Sequence, residues 1–590
     1  MFNILDDLRK VFYLFKVADF KSFKIIFLGM LMCTFFEIIS LGSVPVFIIL
    51  LLDPSTLINN EYGIVIPEFI LNTERLKLVV AGSLLVILIF IIKNLYLFLF
   101  NYYKNSQLRK IKTNLQKKLF SSYLYAPYLF HLKNNPAYLT RNLIEEIRNC
   151  LETINQFLHL FLNTLISFFV LVFIFSVDFK VSIIVLLILG IFSVTFYSSI
   201  KKKLILWGKQ IQQFKGDLFK QINESINSIK EIKIYEKEKN QSDKFFNKID
   251  SLEKIIFVEG LITLIPIFAL EIIAILLITS ITSYYLYLGK PMEIIIPLIS
   301  LYTVASIKII PAINKISLSF SKIKFFSPSL NLINDQFSFF ESFILEDKNS
   351  KNEISIDKST KITFEEVSFT YKKDAIFNIN NISTNFHLNQ NLGLVGPSGA
   401  GKTTLINLIT GLIKPTNGVI KINNENISSC ISSWRNCIGY VPQDVYLMDD
   451  SIKKNIAFGI EEKDIDFEKV KKVAKIAQIH DFILSSESGF ETLVGDRGIR
   501  ISGGQKQRIG IARALYRNPK IIIFDEATSN LDLDNENNLL DEIHNNIIGC
   551  SLIIISHRKN SVKYCDKVLL LEKGKLIKEG SVEEIFKDYD

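Results

Sequence analysis

Gly396-Pro-Ser-Gly-Ala-Gly-Lys-Thr403 reads as a phosphate cradle, and it decides the fold of the C-terminal part of this 590-residue chain. The stretch before it, Asn391-Leu-Gly-Leu-Val395, is a short buried strand, and a helix follows over 403–412. A strand running through G-x-x-x-x-G-K-T into a helix is the context that makes this motif a P-loop. Gly396, Gly399 and Gly401 let backbone N–H groups face a phosphate with no side chain in the way. Lys402 neutralises the β and γ oxygens, and Thr403 offers a hydroxyl to Mg²⁺. The helix N-terminus adds a field that favours anions. Pro397, Ser398, Ala400 and Thr404 complete the set expected to touch ATP.

Two later stretches complete a site. Ile521-Ile-Ile-Phe524 is apolar without alternation, as a strand buried on both faces must be, and it ends in Asp525-Glu526. Asp525 is placed to reach Mg²⁺, and Glu526 to act as general base on the attacking water. Ile501-Ser-Gly-Gly-Gln505 opens another helix, whose N–H groups and Ser502 hydroxyl form a second anion site with Gly503, Gly504 and Gln505. A helical subdomain over 467–490 separates this site from the P-loop of its own chain. Two chains arranged head to tail resolve the separation, with each ATP held between Lys402 of one and Ser502 of the other in a C2 dimer.

The N-terminal half is of another kind. Hydrophobic residues make up 49% of the chain, and most of its 47 Phe precede residue 345. A span needs ~20 largely apolar residues to cross ~30 Å of hydrocarbon. Six segments meet this: 25–52, 78–102, 156–177, 181–200, 257–286 and 294–311. The long loops 104–148 and 201–254 are rich in Lys and Arg, which places them in the cytoplasm with both chain ends. Both have helical spacing, so the membrane helices are expected to continue into the cytoplasm and turn back near 126–136 and 226–234. There the tips would press on the ATP-using domain. Residues 1–23 suit an amphipathic helix on the membrane surface, and 331–357 read as a polar linker. The domains are then 1–23, a membrane domain 24–330, the linker, and an ATPase domain 358–590. The net charge of +9 is explained by the cytoplasmic loops and does not call for nucleic acid. The six Cys lack metal-type spacing. Ionisable residues inside spans default to functional hypotheses. Glu37, Lys93, Glu271 and Lys308 are the candidates for a substrate path, with Glu259 a further one.

The chain resembles an ABC transporter half-molecule of the exporter type along essentially its whole length. The resemblance implies a six-helix all-α membrane domain with long cytoplasmic extensions, then an α/β P-loop ATPase domain. It implies that Tyr371 stacks on adenine, that Gln443 senses Mg²⁺, and that Asp532, in Ser529-Asn-Leu-Asp532, lies in the loop crossing the dimer. It makes His557 the switch histidine on the γ-phosphate, so that Glu526, His557 and Lys402 carry catalysis. It also implies a multi-pass protein of the bacterial inner membrane with ATP and Mg²⁺ as cofactors. Ile501 stands where the family has Leu, and Asp496 where Glu is common. In Phe36-Glu-Ile-Ile-Ser-Leu-Gly-Ser-Val-Pro45, Tyr128-Leu-Phe-His-Leu-Lys133, Lys230-Glu-Ile-Lys233 and Lys308-Ile-Ile-Pro-Ala312, the membrane half is similar to bacterial flippases for lipid-linked oligosaccharides and envelope glycolipids. Export of lipid A, peptides or drugs is the alternative cargo reading. An ATP-gated channel or regulator is the alternative of another class.

Overall fold

A computed structural model describes the chain except residues 1, 19, 53–74, 178, 290–291, 347–353, 358, 372–377, 496–497, 528–532, 547–548 and 588–590. It divides into two units, 1–126 with 130–343, and 127–129 with 344–590. Two expectations fall outside the described residues: Asp496 and the Asp532 loop.

The first unit is helical. After α1 (Phe2–Ala18) and α2 (Phe20–Leu52) come α3 (Arg75–Tyr125), α4 (Tyr128–Lys133) and α5 (Pro136–Arg141). A π-helical turn (Asn142–Glu146) leads into α6 (Ile147–Val177). Then follow α7 (Phe179–Asn227), α8 (Ile229–Ile234), α9 (Glu238–Tyr287) and α10 (Met292–Glu346). Six helices among the described residues are long and apolar enough to cross a membrane. The 51 residues of α3 reach ~75 Å at 1.5 Å per residue, far beyond ~30 Å of hydrocarbon. The helices therefore project well past their apolar segments. They break where the sequence places the tips. Pro127 follows the end of α3, and Asn135 caps α5 by accepting a hydrogen bond from Ala137 N at 2.8 Å, with Pro136 at the first helical position. The other tip is the short α8 between α7 and α9.

One boundary needs correction. The linker expected at 331–357 starts too early, because α10 runs unbroken to Glu346. Leu330, Ile333, Phe337 and Phe340 are buried with Ile111, Leu115 and Ile147. Their spacing is a helical stripe that the surrounding Asn, Ser and Asp obscure. Residues 1–23, expected as an amphipathic helix, hold α1, and part of its apolar face packs on protein. Val11 and Leu14 of α1 join the same cluster, and Asp7 pairs with Lys324 of α10 at 2.6 Å.

The second unit is a two-sheet α/β domain. Strands β1 (Lys361–Phe369), β2 (Ile379–His387), β4 (Asn417–Ile422) and β5 (Glu425–Asn426) form an antiparallel sheet in the order β2-β1-β4-β5. The larger sheet runs β10-β9-β3-β8-β7-β6. It is built from β3 (Leu392–Val395), β6 (Ile438–Val441), β7 (Ile521–Asp525), β8 (Ser551–Ile555), β9 (Lys567–Glu572) and β10 (Lys575–Gly580). All its pairings are parallel except β9 with β10. Helix α11 (Lys402–Ile409) follows β3. Beyond α12 (Ile431–Asn436), the helices α13 (Ile452–Ile456), α14 (Phe467–Ile476) and α15 (His480–Ser485) make the helical subdomain. Next come α16 (Gly503–Tyr516), α17 (Leu533–Asn546) and the terminal α18 (Val582–Phe586). Every residue of β3, β7 and β8 is buried, so their C-terminal ends are fixed points on which a site can stand.

Candidate functional site

The P-loop joins β3 to α11. Gly401 precedes α11 with φ 102°, and Gly396 has φ 154°. A Cβ on Gly396 would stand 2.2 Å from the Leu571 carbonyl oxygen, so the loop admits only glycine there. Lys402 is buried, and its Nζ donates to the carbonyls of Gly396 at 2.7 Å and Pro397 at 3.1 Å. The ammonium thus curls into the concavity of its own loop. Burial holds its pKa below the ordinary lysine value, against the pull of Glu526 and Asp525. Tyr371 leaves β1 beside this helix. Its hydroxyl lies 3.4 Å from Thr404 Oγ1, and its ring packs edge-on to Phe369.

The ends of β7 and β8 meet the same point. Glu526 follows β7 in a left-handed conformation (φ 50°), which is rare for a residue with a side chain and gathers at functional sites. Its Oε1 is 2.9 Å from His557 Nε2, and its Oε2 accepts from Gln443 Nε2 at 3.0 Å. His557 Nε2 is also 3.2 Å from Lys402 Nζ. Lys402, His557, Glu526 and Gln443 therefore form one contiguous chain of polar contacts, although 155 positions separate the first two. Asp525 stands beside them. Burial raises its carboxyl pKa above the ordinary aspartate value.

Sequence reasoning missed Tyr440. Its hydroxyl donates to Asp525 Oδ2 at 2.9 Å and aims the carboxylate. The available signal was a polar-tipped aromatic on the strand next to β7. Thr403, Asp525 and the Gln443 amide carry hard oxygen donors of the kind that suit Mg²⁺. The residues fit ATP and Mg²⁺.

Ser502 caps α16. Its Oγ accepts from Gln505 N at 3.3 Å, and Gln505 Oε1 accepts from Ser502 N at 2.9 Å. Among the described residues the Ser502 hydroxyl and N–H are engaged with Gln505 and not with the P-loop. Ser502 and Gly503 are exposed, so this helix end presents itself outward.

In the helical unit, three of the four candidate path residues come together. Glu37 on α2 receives Lys308 of α10 at 2.8 Å and Lys93 of α3 at 3.6 Å, both on Oε2. The Lys93 side chain is 5% exposed and lies over the Phe90 ring. The cluster holds two cations and one carboxylate, all inside apolar segments. Glu271 is not part of it, being exposed on α9, and Glu259 is half-buried on the same helix.

Residues 379–529 match the family described as ABC transporter, and residues 27–304 match the ABC transporter transmembrane region. The chain is 42% identical over 228 residues to the alpha-hemolysin translocation ATP-binding protein HlyB of Proteus vulgaris. It is 40% identical over 229 residues to the leukotoxin export ATP-binding protein LtxB of Aggregatibacter actinomycetemcomitans. These matches cover 38% and 39% of the chain and 32% of each relative, so the chain spans about a third of the length of the curated relatives it matches. A bacterial Atm1-family ABC exporter solved with ATP bound has the same fold, with a TM-score of 0.76 over 96% of both chains at 20% identity.

Proposed function

As an ABC exporter half-molecule of the bacterial inner membrane, we propose, this chain hydrolyses ATP in the cytoplasm to move a lipid-linked saccharide across the bilayer. The observation that carries the hydrolytic part is the contact chain Lys402–His557–Glu526–Gln443 at 3.2, 2.9 and 3.0 Å. Lys402 is the cation for the β- and γ-phosphates. Glu526 takes the proton of a water attacking the γ-phosphorus. His557 faces the γ-phosphate, and Gln443 holds the second carboxylate oxygen of Glu526 in place. Mg²⁺, held by Thr403, Asp525 and Gln443, would neutralise charge on the phosphate oxygens. Ser502 to Gln505 of a second copy close the site, because that helix end is exposed and, among the described residues, capped by its own Gln505. ATP then joins the two ATPase domains, hydrolysis releases them, and the spans reorient between two states.

The cargo reading rests on Glu37, Lys93 and Lys308. Two lysines sharing one carboxylate leave an excess positive charge among apolar helices, a placement that is unfavourable unless it meets an anion. A phosphate-linked lipid supplies both that anion and an apolar tail. The toxin-exporter relatives favour a second reading, export of a polypeptide. Their matched length is shorter than the transmembrane region of this chain, so they bear on it only in part. Proteoliposomes distinguish the two. With ATP, inward-facing protein should translocate a fluorescent polyprenyl-pyrophosphate saccharide, and Lys93→Gln with Lys308→Gln should abolish this while retaining ATP hydrolysis. Equal transport by the double variant, or transport of unfolded peptide in place of the lipid, would reject the lipid reading.

A further inference from the structure

Helix α17 carries a buried charge that the hydrolytic groups do not use. Glu536 is 1% exposed. Its Oε1 accepts the hydroxyl of Ser561, which is itself fully buried, and its Oε2 lies 3.5 Å from the guanidinium of Arg558. Arg558 is 46% exposed and is the only cation within ion-pair distance of Glu536 among the described residues. A buried carboxylate so weakly compensated is unfavourable. The packing of α17 does not require it, because Leu539, Leu540 and Ile543 already bury the apolar face with Val562.

Both partners of Glu536 belong to the turn that carries His557. At the end of β8, Ser556 N donates to the carbonyl of Leu394 on β3 at 3.3 Å, and Ser556 Oγ accepts from Arg558 N at 3.0 Å. One end of the turn is thereby tied to the strand that feeds the P-loop. The other end is tied to Glu536 through Ser561 and Arg558. His557 stands between the two ties, within 2.9 Å of Glu526.

We propose that Glu536 is a positioning residue for ATP hydrolysis: its carboxylate fixes the turn from Ser556 to Ser561 so that His557 meets Glu526. Glu536 acts through the turn and touches neither the nucleotide nor the reacting atoms. The proposal rests on the hydrolytic reading of Glu526 and His557 given above.

The test measures steady-state ATP hydrolysis by the full chain in lipid nanodiscs, for wild type, Glu536→Ala, Glu536→Gln and Ser561→Ala. Glutamine keeps a carbonyl that accepts from Ser561. Glu536→Ala and Ser561→Ala should lower kcat about tenfold, the order expected of a small misplacement. KM for ATP should stay within about twofold, since the P-loop and Tyr371 are untouched. Glu536→Gln should recover most of the loss. Ser561→Ala at the wild-type rate overturns the proposal, as does a parallel loss of kcat and ATP affinity in all three variants, which marks a structural role. Should Glu536→Ala fail to fold, the other two variants decide by the same criteria. A wild-type chain inert toward ATP overturns the hydrolytic reading and this proposal together, whereas the Ser561→Ala result beside an active wild type overturns the proposal alone.

Discussion

Glu526 and Asp525 are neighbours whose surroundings separate them. Glu526 is turned by its left-handed backbone toward His557 and Gln443. Asp525 is buried and aimed by Tyr440. Glu526→Gln should retain ATP binding and lower hydrolysis by roughly a thousandfold, because a positioned base is typically worth 10²–10⁴. A phosphate-release assay beside fluorescent-nucleotide binding checks this, and near-normal hydrolysis would refute the base assignment. Asp525 yields a pH prediction. Burial first, with Glu526 adding, raises its carboxyl pKa above the ordinary 3.8, while Tyr440 and Lys402 oppose the shift. An acid with a raised native pKa favours the fold below its unfolded pKa and loses that contribution as pH rises through the native value. At neutral pH the buried charge therefore opposes folding. Asp525→Asn should raise the thermal midpoint at neutral pH, with the gain fading as the medium is acidified toward 3.8, and hydrolysis should be lost. A midpoint gain that does not depend on pH would reject the burial argument.

The elements show where periodicity carries information and where close approach takes over. The tips at 126–136 and 226–234 were legible because proline and short breaks interrupt long helical stripes. The extension of α10 to Glu346 was not read, because polar residues between Ile333, Phe337 and Phe340 mask a regular spacing. Nor was the buried pair of Arg141 and Glu146, which stand 3.3 Å apart across the π-helical turn, with Gln212 of α7 donating to Glu146 at 3.2 Å. Helix α7 also has two glycines of opposite character. A Cβ on Gly208 would lie 2.1 Å from the Phe325 carbonyl oxygen of α10, while one on Gly190 meets nothing within 4 Å. Gly208→Ala must push two backbones apart and should destabilise the helical unit by about 1–3 kcal/mol. Gly190→Ala should be neutral or slightly stabilising through helix propensity. Thermal midpoints in detergent compare them, and similar values for the two would contradict the packing.

At the scale of the whole molecule, the proposed nucleotide site calls for a second chain. The Ser502 helix end is exposed and capped by its own Gln505, so a second copy is the expected closure. With the six free cysteines replaced, cysteines at Ser398 and Ser502 should crosslink between chains in ATP and Mg²⁺ and only weakly without nucleotide. Non-denaturing and denaturing electrophoresis would resolve this, and an exclusively intrachain product would break the head-to-tail arrangement. The membrane cluster belongs to this scale too. Glu37, Lys93 and Lys308 come from three helices, and each alone reads as an ionisable residue in an apolar run.

What the sequence determined by itself was local chemistry with a fixed spacing: the glycine pattern of the P-loop, the apolar strand ending in Asp525-Glu526, the helix opening at Ser502-Gly-Gly, and six apolar runs long enough to cross a bilayer. Each depends on contacts within a few residues, where backbone geometry sets the outcome. Only the tertiary structure decided which distant charges meet. It gathered Glu37 with Lys93 and Lys308, left Glu271 outside, gave Tyr440 to Asp525, and set Glu536 behind the His557 turn. A buried charge is settled by whichever partner the packed helices and strands bring within a few ångströms, and no spacing along the chain records that distance.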